Sequence, residues 1–187
     1  LTSAAFLFIG SCRGASPEIE KVNRLKKTNK KSQSIGAELL LNYAVNGDIK
    51  KNGRGDTENG GKTLLNAKQG FDVNLSHSGE YAVCAVHNKD VGIDIQHLRE
   101  CDMNLAKTIF YGEETEYINC SADKKNAFFE VWTKKESFVK AIGTGLTIPL
   151  DSFSVLSDTT RYDGKTYCFK EYSVGEDDYK MFVCYLS

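Results

Sequence analysis

The residues from Phe71 to Ile95 constrain this chain most, because they hold three extended segments with almost no sequence between them. Phe71-Asp72-Val73-Asn74-Leu75-Ser76-His77-Ser78-Gly79 alternates apolar and polar residues, then runs into a small-polar turn, and the apolar run Tyr81 to Val86 follows. That pattern is a β-hairpin with His77 near its bend. Val91-Gly92-Ile93-Asp94-Ile95-Gln96 is the next strand, with Ile93 and Ile95 on one side and Gly92 and Asp94 on the other. Helical periodicity then takes over at Leu105 to Ile118 and Phe128 to Ile142. Strands return around Ser152 to Leu156, Tyr167 to Tyr172 and Met181 to Leu186. Upstream, Ser34 to Val45 reads as a helix on Ile35, Leu39, Leu40 and Tyr43, and Asn46 to Gly61 reads as loops around a short strand. The run Tyr179 to Tyr185 echoes Tyr81 to Val86, each closing a hairpin after a polar turn, which points to an internal duplication.

Asp94 is a lone carboxylate between two isoleucines, and such a group wants a cation. Some forty residues on, Trp132, Glu136 and Lys140 recur at helical spacing, so an aromatic, an acid and a base share one side of a helix that is too charged for a core. Singly, a strand-end Asp is usually a turn former and a helical Glu/Lys pair a solvated ion pair. Together they make a divided metal and phosphate site. A hard divalent cation such as Mg²⁺ takes one or two carboxylates plus phosphates and water; Asp94 and Glu136 supply the carboxylates, and Lys135 and Lys140 meet phosphate charge. Ser76, His77 and Ser78 offer hydrogen bonds to phosphate oxygens. Three histidines without a Cys/His cluster argue against zinc.

These motifs, in the order Asn74-Leu75-Ser76-His77-Ser78, Gly92-Ile93-Asp94-Ile95 and Trp132 to Leu146, resemble the phosphopantetheinyl transferases of the surfactin-synthetase-activating (Sfp) type. The resemblance runs from about Ser16 to the end, since Gly61-Lys62 is similar to the family's Gly-Lys-Pro segment and Gln33 to Leu40 to its first helix. It implies an α+β fold of two similar halves related by a pseudo-twofold axis, with the active site at their junction. The expected division is an atypical or truncated segment over 1–15, an amino-terminal half with the coenzyme A contacts over 16–89, and a carboxy-terminal half with the metal site over 90–187.

The activity implied by the resemblance is Mg²⁺-dependent transfer of the phosphopantetheine arm of coenzyme A to a serine of an apo acyl, peptidyl or aryl carrier protein, as used in fatty-acid, polyketide and peptide-synthetase pathways. Attack on the β-phosphorus needs charge neutralised at the bridging and leaving oxygens, which a metal and lysines provide. By similarity Asp94 and Glu136 are metal ligands, Lys140 contacts the reacting phosphate, and Ser76, His77 and Lys62 hold coenzyme A phosphates. Three positions depart from the family pattern, and the placing of one acid is ambiguous. Gln96 stands where many members carry a third acid, and it can reach the metal through its amide oxygen. Thr63 replaces the proline after Gly-Lys. Gln33 replaces an arginine, which leaves Ser34 as the phosphate contact. Glu113, Glu114 and Glu116 compete for the family's acid after the phenylalanine, with Glu114 favoured as catalytic and Glu116 second. A non-catalytic carrier-protein or coenzyme A binding module on the same fold is the alternative.

A net charge of −1 and no basic cluster with interleaved aromatics argue against nucleic acid, and Lys21 to Lys31 reads as a solvated loop. No segment approaches the roughly 18 apolar residues of a transmembrane helix. The apolar run Ala4 to Ile9 precedes Ile9-Gly10-Ser11-Cys12, superficially a lipoprotein cleavage box, but a positive stretch before it is missing and residue 1 is leucine, so an irregular start is the expectation. Of the six cysteines, Cys84 and Cys184 sit inside apolar strand runs and read as buried reduced thiols. The chain is thus expected to be a cytoplasmic monomer.

Overall fold

The computed structural model describes residues 6–11, 57–58, 62–63 and 71–187. Strands β1 (Phe6–Ser11), β2 (Thr57–Glu58), β3 (Lys62–Thr63), β4 (Asp72–Ser78), β5 (Tyr81–His87) and β6 (Val91–His97) precede helices α1 (Met103–Ile109), α2 (Gly112–Cys120) and α3 (Lys124–Ile142). Strands β7 (Thr159–Tyr162), β8 (Lys165–Tyr172) and β9 (Tyr179–Leu186) close the chain. The fold is α+β. The helix expected at Ser34 to Val45, Ser34 itself and the Lys21 to Lys31 block lie outside the described residues.

The hairpin forms where its alternation placed it, and Gly79 opens the two-residue turn with φ 54°, the sign a type II′ turn needs at that position. Strand β5 is buried along nearly its whole length and needs a partner on each edge to satisfy its backbone. Strand β4 takes one edge. Strand β1 takes the other, antiparallel, with Phe6 opposite Val86 and Ser11 opposite Tyr81. Residues 6–11, expected within an irregular or truncated start, form a regular strand on that edge of the first sheet.

The second sheet is antiparallel in the order β6-β9-β8-β7. Alternation gives β6 and β9 two buried faces. Val91, Ile93, Ile95, Met181 and Val183 pack on Tyr81, Val83 and Ala85 of the first sheet. On the opposite face Cys184 and Tyr167 pack on Phe138 and Ala141 of α3. A third cluster, with Phe110, Ile118, Phe128, Phe129 and Val155, joins the helices to one another.

Two local expectations change. The single helix over Leu105 to Ile118 is two, because Phe110 is extended and buried, and α2 restarts with the Glu114 carboxylate accepting the Tyr111 N–H at 3.0 Å. The strand expected at Ser152 to Leu156 does not form. Leu150–Ser152 is a 3₁₀ turn, and the Val155 N–H goes to Glu114 at 2.8 Å rather than to a neighbouring strand. The edge strand lies instead at β7, joined to β8 through Asp163-Gly164 with φ 49° and 73°, the two positive values of a type I′ turn. The described cysteines, Cys84, Cys101, Cys120, Cys168 and Cys184, are free thiols. No helix of the described residues is long and apolar enough to cross a membrane.

Candidate active site

Strand β6 is an edge strand, and its free edge faces β4. Backbone pairing does not bridge the two sheets there. The Asp72, Asn74, Ser76 and Ser78 side chains accept the N–H groups of Val91 (2.8 Å), Ile93 (2.9 Å), Ile95 (3.3 Å) and His97 (2.9 Å). Both strands repeat every two residues, so one polar face of β4 meets one run of outward N–H groups on β6. This accounts for burying polar Asn74 and Ser76 at the sheet junction.

Helix α3 lies on the other face of β6, at a spacing only glycine permits. A Cβ at position 92 would stand 2.0 Å from the Ser137 carbonyl oxygen and 2.4 Å from the Ala141 nitrogen. With the helix backbone on Gly92, Lys140 reaches across the strand edge. Its ammonium donates to Asp94 Oδ1 at 2.6 Å, to the Ile93 carbonyl at 3.0 Å and to Ser76 Oγ at 3.2 Å. Ser76 Oγ also donates to Asp94 Oδ1 at 2.8 Å, and Gln96 Nε2 to Asp94 Oδ2 at 2.9 Å. Asp94 is 3% exposed, so a charge there is tolerated only because these donors surround it. One helical turn before Lys140, Glu136 is half-buried. Burial first and the Asp94 carboxylate second push its carboxyl above the usual range, while Lys140 opposes them.

Asp94, Lys140, Ser76 and Gln96 are thus joined by hydrogen bonds with Glu136 beside them, and Ser76, expected at a coenzyme A phosphate, has its hydroxyl engaged by Asp94, Lys140 and the Ile95 N–H. Other assignments change. Lys135 does not meet phosphate charge, because it is fully buried, with its ammonium 2.8 Å from Glu114 Oε2 and 2.7 Å from the Leu150 carbonyl, over the Phe153 ring. Glu114, favoured as catalytic, is that lysine's fully buried partner and also holds the Tyr111 and Val155 N–H groups. Its hydrogen bonds go to Lys135, Tyr111 and Val155 rather than to Asp94, Glu136 or Lys140. Burial pushes Glu114 up and Lys135 down, and their contact opposes both shifts. Glu113 and Glu116 are exposed. Trp132, expected on the charged face, stacks on Phe128 and tilts against Phe110 at the rim of the helical core. Ser78 spends its hydroxyl on His97. His77 is exposed on the face of β4 opposite Ser76. Lys62 is on β3, which runs beside β4.

Asn74 is the residue that sequence reasoning passed over. The even-numbered polar positions of Asp72-Val73-Asn74-Leu75-Ser76-His77-Ser78 put it on one face with Ser76, but the same alternation describes a strand with a solvated face, so the sequence carried no signal that set it apart.

The Asp94 and Glu136 carboxylates, with Gln96 beside them, form an oxygen-only donor set of the kind a hard divalent cation takes. Among the described residues no group of three or more His, Cys, Asp or Glu side chains is placed to hold a metal.

Residues 90–184 match the family model of the 4'-phosphopantetheinyl transferase superfamily. Among curated proteins, a 4'-phosphopantetheinyl transferase of Bacillus subtilis is 38% identical over 134 residues, 66% of this chain and 59% of that protein. The 4'-phosphopantetheinyl transferase gsp of Aneurinibacillus migulanus is 44% identical over 97 residues, 49% of this chain and 40% of that protein. The 4'-phosphopantetheinyl transferase Sfp of Bacillus subtilis (strain 168) is 32% identical over 184 residues, 90% of this chain and 81% of that protein. The matches thus span about half of the first two relatives and most of the third.

Proposed function

The chain belongs to the 4'-phosphopantetheinyl transferase superfamily, and on that premise we propose that it transfers the phosphopantetheine arm of coenzyme A to a serine of an apo carrier protein. One observation carries the reading. A buried carboxylate, Asp94, a second carboxylate, Glu136, and an ammonium, Lys140, converge at the edge where the two sheets meet.

The donor set fits Mg²⁺. Burial and then the neighbouring Asp94 carboxylate raise the proton affinity of Glu136, and a divalent cation between the two carboxylates would relieve their repulsion. Asp94 and Glu136 would be its charged ligands. Gln96 spends its amide N–H on Asp94, so its share rests on the carbonyl oxygen or a water. When bound, the cation withdraws charge from phosphate oxygens. The remaining work is the chain's own. Lys140, 23% exposed at its side chain, offers a positive charge to the phosphoryl group under attack and stabilises the charge that develops there. Ser76 orients both Lys140 and Asp94.

His77, on the outer face of β4, suits a phosphate of coenzyme A away from the reacting one, and we assign Lys62 and Ser34 to phosphate contacts on the resemblance of their segments. Glu114 is a positioning residue that pins α2 to α3 through Lys135.

The test is to incubate the protein with coenzyme A, Mg²⁺ and an apo carrier protein and weigh the carrier. A gain of one phosphopantetheine per carrier is expected. An unchanged mass with retained binding would instead mark a non-catalytic binding module.

A further inference from the structure

We propose that Asn74 is a positioning residue that sets where Lys140 and Asp94 meet, a deepening that rests on the transferase reading above. The contact is made at Ile93. Its N–H and C=O both point to the free edge of β6, because the alternate residues Gly92, Asp94 and Gln96 turn theirs toward β9. Asn74 Oδ1 accepts the N–H at 2.9 Å, and Lys140 donates to the carbonyl at 3.0 Å. Ile93 is thus clamped from the first sheet by an amide and from α3 by the ammonium, and the next residue is Asp94.

Asn74 is 2% exposed, and Ile93 is fully buried, so water cannot replace the lost acceptor. Without it the peptide joining Gly92 to Ile93 loses its anchor on this edge, and the φ and ψ of Ile93, which carry the next peptide and the carbonyl that Lys140 holds, are no longer fixed from the first sheet. The ammonium then loses one of its three anchors and swings away from Asp94. Asp72, which accepts the Val91 N–H at 2.8 Å, makes a bond of the same kind to a residue three places from Asp94. Ser76 and Ser78 show that a serine hydroxyl serves as acceptor at neighbouring places in the row.

Three variants separate positioning from general support, namely Asn74→Ala, Asn74→Ser and Asp72→Ala. The first readout needs no turnover. The metal-free protein is pulsed with acetic anhydride, and acetylation of Lys140 is followed by peptide mass spectrometry. Asn74→Ala should label Lys140 several times faster than wild type, while Asn74→Ser and Asp72→Ala stay near wild type. The second readout is transfer at saturating coenzyme A and Mg²⁺. Asn74→Ala should lower kcat by roughly 10- to 100-fold with little change in KM for coenzyme A, as removal of an orienting partner does, and Asn74→Ser should restore most of it. Equal labelling and equal kcat loss in Asn74→Ala and Asp72→Ala would overturn the proposal, because the row would then act only as general support. A wild-type protein without transfer activity defeats the transferase reading, and the labelling arm still decides the role of Asn74.

Discussion

Adding one methyl group at position 92 should cost both stability and turnover, and the structure sets the scale. The new Cβ would lie 2.0 Å from the Ser137 carbonyl oxygen and 2.4 Å from the Ala141 nitrogen, where ordinary contact begins at 3.4 Å. Both neighbours are helix backbone, which cannot change rotamer, so α3 must retreat by about 1 Å or tilt, at the roughly 1–3 kcal/mol or more that overpacking costs. Lys140 precedes Ala141, and its 2.6 Å contact with Asp94 has no slack. A displacement of about 1 Å at a reacting centre costs on the order of a hundredfold in rate. Gly92→Ala should therefore lower the urea midpoint at an unchanged m-value and lower kcat about a hundredfold in the fraction that remains folded. Gly112→Ala is the control. It opens α2, nothing lies within 4 Å of its added Cβ, and alanine should leave stability unchanged or raise it by up to about 1 kcal/mol. A Gly92→Ala protein with the wild-type midpoint and kcat would refute the reasoning that α3 is seated on that glycine.

Glu114→Ala should destabilise by about 3–5 kcal/mol, since it strands the buried Lys135 charge and two backbone N–H groups; a denaturant series reads this, and near-wild-type stability with lost turnover would return Glu114 to the reacting site. Lys140→Ala should lower kcat by about a hundredfold or more while coenzyme A affinity by calorimetry changes little, and an unchanged kcat with a raised KM would move Lys140 out of the reacting centre. Asp94→Asn and Glu136→Gln should each abolish Mg²⁺-dependent transfer, whereas Gln96→Ala keeps measurable activity and Gln96→Glu preserves it; a Mg²⁺ titration against initial rate ranks them, and wild-type rates in Asp94→Asn would overturn the metal assignment. For Glu136 the folded carboxyl is raised, so the native state holds a proton that the unfolded chain has released, and stability falls as pH rises from 4.5 through the raised value. Glu136→Gln in metal-free buffer should then be more stable than wild type at neutral pH and flatter across that window, and urea midpoints with identical pH profiles would count against the shift.

The parts of this protein legible in its sequence are those governed by local periodicity. Alternation sufficed for the β4–β5 hairpin and for the two faces of β6, and helical spacing placed Glu136 and Lys140 on one stretch of α3, because backbone geometry within a single element leaves little choice. The Asp163-Gly164 hairpin is equally local, since that dipeptide suits the two positive φ values of its turn. What the tertiary structure alone decided is which groups across the chain meet. In sequence Glu114 reads as a catalytic acid and Lys135 as a phosphate contact, and only the packing of α2, α3 and the Leu150 to Val155 segment makes them a dry pair. Phe6 to Ser11 gave no period of its own, and the free edge of β5 made it a strand. Asp72, Asn74, Ser76 and Ser78 look like one polar face for water, yet they are spent on the edge of β6, some nineteen residues along the chain. Each such outcome depends on a partner that compact packing supplies. Buried hydrogen-bonding groups must be satisfied by whatever lies opposite, and a residue's own neighbours in sequence do not say what that will be.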